Sequence, residues 1–126
     1  MILLDTNVVI DMLNNENDRN WEIFQREDSL ICGIVIAELY RGVRNSKEKN
    51  AVDLFVNSVD SISVNKNEWK EIGLFISKLN EKGITVPFQD AVISYIAIKN
   101  NCVLLTRDKH FKLIKMSDNR LNLFSE

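Results

Sequence analysis

The sequence predicts an α/β domain with a mostly parallel sheet, and three observations carry that prediction. Short apolar runs recur at 2–4 (ILL), 29–32 (SLIC), 61–64 (SISV), 103–105 (VLL) and 121–124 (LNLF). Longer stretches between them repeat apolar residues at helical spacing. These connections are too long for hairpins, so neighbouring strands need crossovers and run parallel.

The elements follow in order. After the first strand, Thr6 is a candidate N-cap for a helix whose face is Val8, Val9, Met12 and Leu13. The stretch NNENDRN at 14–20 is the most polar in the chain and reads as a mobile loop. Trp21 and Phe24 mark a short second helix, and Ile34 to Val43 a third. Ala51, Val52, Phe55 and Val59 face one way on a fourth helix, and Trp69, Ile72, Gly73, Ile76 and Leu79 do so on a fifth. That fifth helix is well punctuated: Asn65 can cap it with Glu68 three residues on, and Gly83 can close its end. From Ala91 to Ile98 the pattern is apolar on nearly every side, as expected of a helix packed deep in the protein.

A chain of 126 residues suits one domain spanning 1–126. With 45% apolar and 27% charged residues, one Pro and four Gly, the composition is that of an ordered, water-soluble globule. The formal charge of −2 argues against a general nucleic-acid binder, so any polyanion must meet a local basic patch. Two stretches offer one, RGVRNSKEK at 41–49 and RDKHFKLIK at 107–115. Cys32 and Cys102 lie in apolar runs with no Cys or His partners nearby, which predicts buried free thiols and a reducing, cytoplasmic setting. The opening MILLD is too short for a signal peptide, and no apolar run approaches the ~20 residues that span a bilayer.

The acids carry the functional signal. In open α/β sheets, ligands bind beyond the carboxyl ends of the strands. Asp5 directly follows the first strand and Asp108 closely follows the VLLT run, so a parallel sheet brings both to one edge. Glu38 sits inside the apolar helical run IVIAELYRG, and Asp90 in the first turn of the most apolar helix. Each also has an ordinary role open to it: a strand-end turn or cap for Asp5, Asp90 and Asp108, and a salt bridge to Arg41 for Glu38. Together they are harder to dismiss. Two carboxylates ~4 Å apart repel by on the order of 4 kcal/mol at an effective dielectric near 20, so a cluster takes up protons or binds a cation. An all-oxygen site without His or Cys ligands selects Mg²⁺ or Mn²⁺ rather than zinc, and such sites typically handle phosphates.

The opening LLDTNVVID, the helix VIAELYRG and the C-terminal block VPFQDAVISYIAIKNNCVLLTRDKHFKLI resemble the motifs of PIN-domain ribonucleases, in particular VapC-type toxins of toxin-antitoxin systems. The resemblance covers almost the whole chain, and its strength lies in the combination of motifs. It implies a PIN-like α/β/α sandwich whose five-stranded parallel sheet is flanked by helices. It places the acidic site on Asp5, Glu38, Asp90 and Asp108, with Thr106 and Asn7 at the polar positions beside it. It further implies Mg²⁺- or Mn²⁺-dependent cleavage of RNA by an activated water, leaving a 5′-phosphate and a 3′-hydroxyl. A homodimer and inhibition by a cognate antitoxin that covers the site complete the implication. Ser94 and Tyr95 depart from the family by standing where many relatives carry small apolar residues.

Of the basic residues, Arg41 is expected to contact phosphate or hold Glu38, and Arg107, beside Asp108, to contact substrate phosphate or the antitoxin. His110, the one histidine, is expected to be a surface residue, because a metal-activated water needs no general base. Thr106 can orient the attacking water or a carboxylate, or serve as an ordinary strand-end hydroxyl. Trp21, Phe24 and Trp69 are expected in the core or a dimer interface. A phosphorylatable receiver domain fails because Thr6 and Asn7, not acids, follow Asp5, and because SISV ends in Asn65. A haloacid-dehalogenase-type phosphatase fails because position 7 is Asn. One alternative survives, a PIN-like scaffold that binds RNA or a protein without cutting.

Overall fold

Five short strands carry the chain back and forth through one sheet, and every neighbouring pair is parallel. The computed structural model describes residues 1–125. The strands are β1 (Ile2–Leu4), β2 (Ser29–Cys32), β3 (Asp60–Ile62), β4 (Val103–Leu105) and β5 (Asn122–Leu123). The helices are α1 (Thr6–Asn14), α2 (Asn20–Arg26), α3 (Gly33–Arg41), α4 (Ser46–Ser58), α5 (Lys66–Glu81), α6 (Phe88–Lys99) and α7 (His110–Ser117).

The strand order is β3-β2-β1-β4-β5. From β1 the chain winds outward through β2 to β3, then crosses back to β4 and β5, so the direction of winding reverses between β1 and β4. Right-handed crossovers then put α1 to α4 on one face and α5 to α7 on the other. Within these groups α1 lies against α2 and α3, α3 against α4, and α6 against both α5 and α7, while α3 also meets α6. Register is set at the centre, where Ile2, Leu3 and Leu4 pair with Val103, Leu104 and Leu105. All three residues of β1 are buried, as a strand covered on both faces requires.

The core is one continuous cluster that includes β1, the inner part of β2 and most of α6. In α6, residues 90 to 94, 96 and 97 are all buried, which is the all-round burial its sequence predicts. Tyr95 packs edge-on to Phe75, while the Ser94 hydroxyl is buried without a hydrogen-bond partner among the described residues. Trp21, Phe24 and Phe55 form an aromatic cluster, and the Trp21 indole N–H donates to the Met12 carbonyl at 2.8 Å. Trp69 is half-exposed. Cys32 and Cys102 are buried free thiols.

Several boundaries differ from the sequence expectation. Asp5, not Thr6, caps α1, accepting the Thr6 N–H at 2.8 Å. The third strand begins at Asp60 and ends at Ile62, because Leu30 of β2 fixes its register and Asn65 already opens the capping box of α5. The last strand covers only Asn122 and Leu123 of the LNLF run. α3 stops at Arg41, and Val59 lies just beyond α4. Gly83 closes α5 as expected, with φ +77, a left-handed turn open to glycine at little cost. Among the described residues, no helix is long and apolar enough to cross a membrane.

Candidate active site

The reversal between β1 and β4 opens a crevice beyond the carboxyl ends of those two strands. Asp5 emerges there from β1, its backbone N–H still bonded to the Leu105 carbonyl of β4 at 3.0 Å. Its carboxylate is buried and its two oxygens do different work. Oδ1 accepts the Thr6 N–H, which caps α1, and Oδ2 accepts the Thr106 hydroxyl at 2.6 Å. Thr106 Oγ1 in turn accepts the Asp108 N–H at 3.0 Å, so one hydroxyl fixes Asp5 and the loop carrying Asp108.

Glu38 reaches the same edge from α3. The Thr6 hydroxyl donates to its Oε1 at 2.8 Å, while Arg41 Nη2 approaches Oε2 only to 3.9 Å from an exposed position. The expected Glu38–Arg41 pair is therefore present but loose, and the closer partner is Thr6. By its sequence position alone Thr6 reads as a cap. Nothing local in LDTNVV distinguishes a capping threonine from one aimed at a residue 32 positions away.

Asp90 stands in the first turn of α6 but caps nothing: the helix has no side-chain cap bond. The backbone is wound so that this acid faces the crevice, where it is 7% exposed. Its Oδ2 has no hydrogen-bond partner among the described residues. Burial is the main cause that pushes its carboxyl up from 3.8 to about 6, with Asp108 and Asp5 adding to it and His110 opposing. The Asp5 carboxyl is also raised, again mainly by burial and further by Glu38 and Asp108, against the lowering effect of its Thr106 and Thr6 bonds. Each of these acids thus feels others of the group, although a helix N-terminus would by itself favour an ionised Asp90.

His110 belongs to this cluster, against its expected role as a surface residue. Its ring is half-exposed, yet Nδ1 lies 3.0 Å from Asp108 Oδ1 and 3.4 Å from Asp90 Oδ2. Asp90, Asp108 and His110 each offer one donor atom within 4.8 Å of the other two, and among the described residues they alone form such a group. Asp5 and Glu38 stand outside it. The signal that could have found His110 is its place two residues after Asp108. Asp108 Oδ1 accepts the His110 N–H at 2.9 Å, and such an Asx turn folds the second side chain back toward the first.

The arginines divide. Arg107 Nε sits 2.8 Å from Asp11 Oδ2, and its backbone N–H meets Asn7 Oδ1 at 3.4 Å, which ties the loop after β4 to α1. Asp11 was not singled out in the sequence, since an acid on a helix one turn past Asn7 looks like any solvated position. In the 41–49 stretch, Arg44, just before α4, pairs with Glu48 and Lys49 with Asp53, so both cations are matched by acids of α4.

Crowded carboxylates, with Asp5 and Asp90 raised, and a buried oxygen without a donor fit a divalent cation, which would neutralise the cluster and fill the missing contact. An open parallel α/β sheet binds ligands where its winding reverses, and here that place carries a gathering of carboxylates suited to a cation. The PIN-domain profile matches residues 2–115, and the chain belongs to the PIN-domain family. Its similarity to Ribonuclease VapC2 of Rickettsia felis is 31% identity over 121 residues, covering 89% of this chain and 90% of that protein. The plasmid stability protein StbB of Pseudomonas syringae pv. tomato is 30% identical over 124 residues, with 86% and 88% covered. Among solved structures, VapBC2 of Rickettsia felis, bound to a DNA fragment from its promoter, superposes with a TM-score of 0.80 at 25% identity over 98% of each chain.

Proposed function

We propose that the protein is a metal-dependent endoribonuclease, the toxin of a VapBC-type pair acting in the cytoplasm. The observation that carries this reading is the buried Asp90, its Oδ2 unpartnered and its carboxyl raised to about 6 beside Asp108 and His110. Membership of the PIN-domain family and the likeness to a VapC ribonuclease support the substrate class.

In this reading Asp5, Glu38, Asp90 and Asp108 would hold Mg²⁺ or Mn²⁺. Bound there, such an ion would supply an activated water and offset charge on the scissile phosphate, the chemistry of a cleavage that leaves a 5′-phosphate and a 3′-hydroxyl. Thr106 holds the Asp5 carboxylate in one orientation through its 2.6 Å bond, and Thr6 does the same for Glu38 at 2.8 Å. Asn7 steadies the loop that presents Arg107, and Arg107 and Arg41 contact the RNA backbone or the antitoxin. The whole chain, 1–126, acts as one domain, paired in a homodimer and covered at its acidic edge by the cognate antitoxin.

Purified protein incubated with a mixed cellular RNA pool in Mg²⁺ or Mn²⁺ tests this, with chelator and Asp90→Asn as parallel arms. Discrete fragments that vanish in both arms are the expected result. Uncut RNA in every lane, from folded and antitoxin-free protein, defeats the nuclease reading and favours a scaffold that binds without cutting.

A further inference from the structure

His110 is the one nitrogen donor in a cluster of carboxylates, and its position is set by the fold. It opens α7, held by the Asx turn to Asp108. Its Nδ1 stands 3.0 Å from Asp108 Oδ1 and 3.4 Å from Asp90 Oδ2. Ligands about 2.1 Å from a divalent ion stand ~3.0 Å apart at right angles and ~3.4 Å apart at tetrahedral angles, so these are the spacings of neighbouring ligands.

Hydrogen bonding alone accounts for the arrangement less well. A single Nδ1–H directed at Asp108 cannot also serve Asp90, whose Oδ2 is left buried without a donor among the described residues. The Asp90 side chain is only 10% exposed, so water has little access to make good the loss. A cation between the three atoms satisfies all of them at once. The half-exposed ring leaves its other nitrogen able to keep the proton in water.

We infer that Asp90 Oδ2, Asp108 Oδ1 and His110 Nδ1 form a mixed nitrogen–oxygen site that favours first-row transition ions over Mg²⁺. This rests on the metal-dependent reading above and narrows its cofactor. Mg²⁺ prefers oxygen ligands and retained water, and an imidazole adds little to its binding. A transition ion gains from the nitrogen, in the rising order from Mn²⁺ to Cu²⁺.

The probe is Mn²⁺, and the chain's single histidine makes the readout unambiguous. Untagged protein loaded with Mn²⁺ is examined by pulsed EPR for imidazole nitrogen coupling, and titrated calorimetrically with Mn²⁺ and Mg²⁺ as wild type, His110→Gln and His110→Asp. Expected are nitrogen coupling in the wild type only, and about tenfold or greater loss of Mn²⁺ affinity in His110→Gln. Mg²⁺ affinity should change little in that variant, while His110→Asp, with oxygen in place of nitrogen, narrows the gap between the two ions. Bound Mn²⁺ without nitrogen coupling in the wild type overturns this inference and leaves a carboxylate site standing. Failure of the wild type to bind Mn²⁺ at all overturns both, and neither wild-type result depends on a variant folding.

Discussion

On α4 and in the crevice beyond the strand ends, carboxylic acids are held in opposite ways. On α4, Glu48 meets Arg44 Nη2 at 3.1 Å, and Asp53 accepts from the Tyr40 hydroxyl at 2.6 Å and from Lys49 at 3.0 Å. Both carboxyls lie below their ordinary values, Glu48 chiefly through Arg44 and Asp53 chiefly through Tyr40. In the crevice Asp5 and Asp90 are raised, chiefly by burial and further by neighbouring acids, with His110 opposing the shift at Asp90. A folded chain that matches its surface acids with cations four residues away could have matched these too. That it buries them together instead is what separates a functional cluster from ordinary surface charge.

The sharpest way to break the comparison is Asp90→Asn. Cleavage of RNA should fall on the order of a hundredfold or more, since the change removes a carboxylate of the proposed cation site while keeping its shape. Unchanged cleavage with the fold verified by circular dichroism would remove Asp90 from the chemistry.

Next in size is Thr106→Val, which deletes the donor to Asp5 and the acceptor for the Asp108 N–H while keeping volume. Activity should drop about ten- to a hundredfold, as for other groups that orient a ligand. Rescue by Thr106→Ser, which restores the hydroxyl, would separate this from simple loss of packing.

A third test sharpens the contrast in protonation. The folded Asp90 carboxyl titrates near 6 against 3.8 for the ordinary group, so between those values the folded chain binds the proton and the unfolded chain does not. Metal-free stability should therefore fall as pH rises from about 4 to about 6 and stay lowered above that, by up to about 3 kcal/mol at 1.36 kcal/mol per unit. Asp90→Asn should lack this loss and melt higher than wild type at pH 8. Added Mn²⁺ should raise the wild-type melting temperature there and leave the variant's unmoved.

The smallest effect belongs to α4. Glu48→Gln breaks an exposed pair, and should leave cleavage unchanged and shift melting by about a degree. A large loss of activity would mean that the two regions are coupled and the contrast is false.

Much of the fold was legible because its signals are local. The capping box at Asn65 and Glu68, the turn at Gly83 and the apolar α6 each depend on residues within a few positions. The edge strands were less so: β3 and β5 take their limits from partners in β2 and β4, which no run of apolar letters reveals. At the site, the four acids stood out by being misplaced for their surroundings. Thr6 and His110 did not, because a threonine after a strand and a histidine opening a helix look ordinary wherever they point.

The sequence by itself determined the order of elements, the burial of α6 and the presence of acids at strand ends and in apolar helices, all consequences of short-range periodicity and composition. Only the tertiary structure decided which groups meet. The register of β1 against β4 brings Thr106 to Asp5 across 101 positions, and the crossover through α5 and α6 delivers Asp90 to Asp108 and His110. Side-chain pattern records which face a residue takes on its own element. The distance between two such faces is set by strand pairing and helix packing, which are properties of the whole chain.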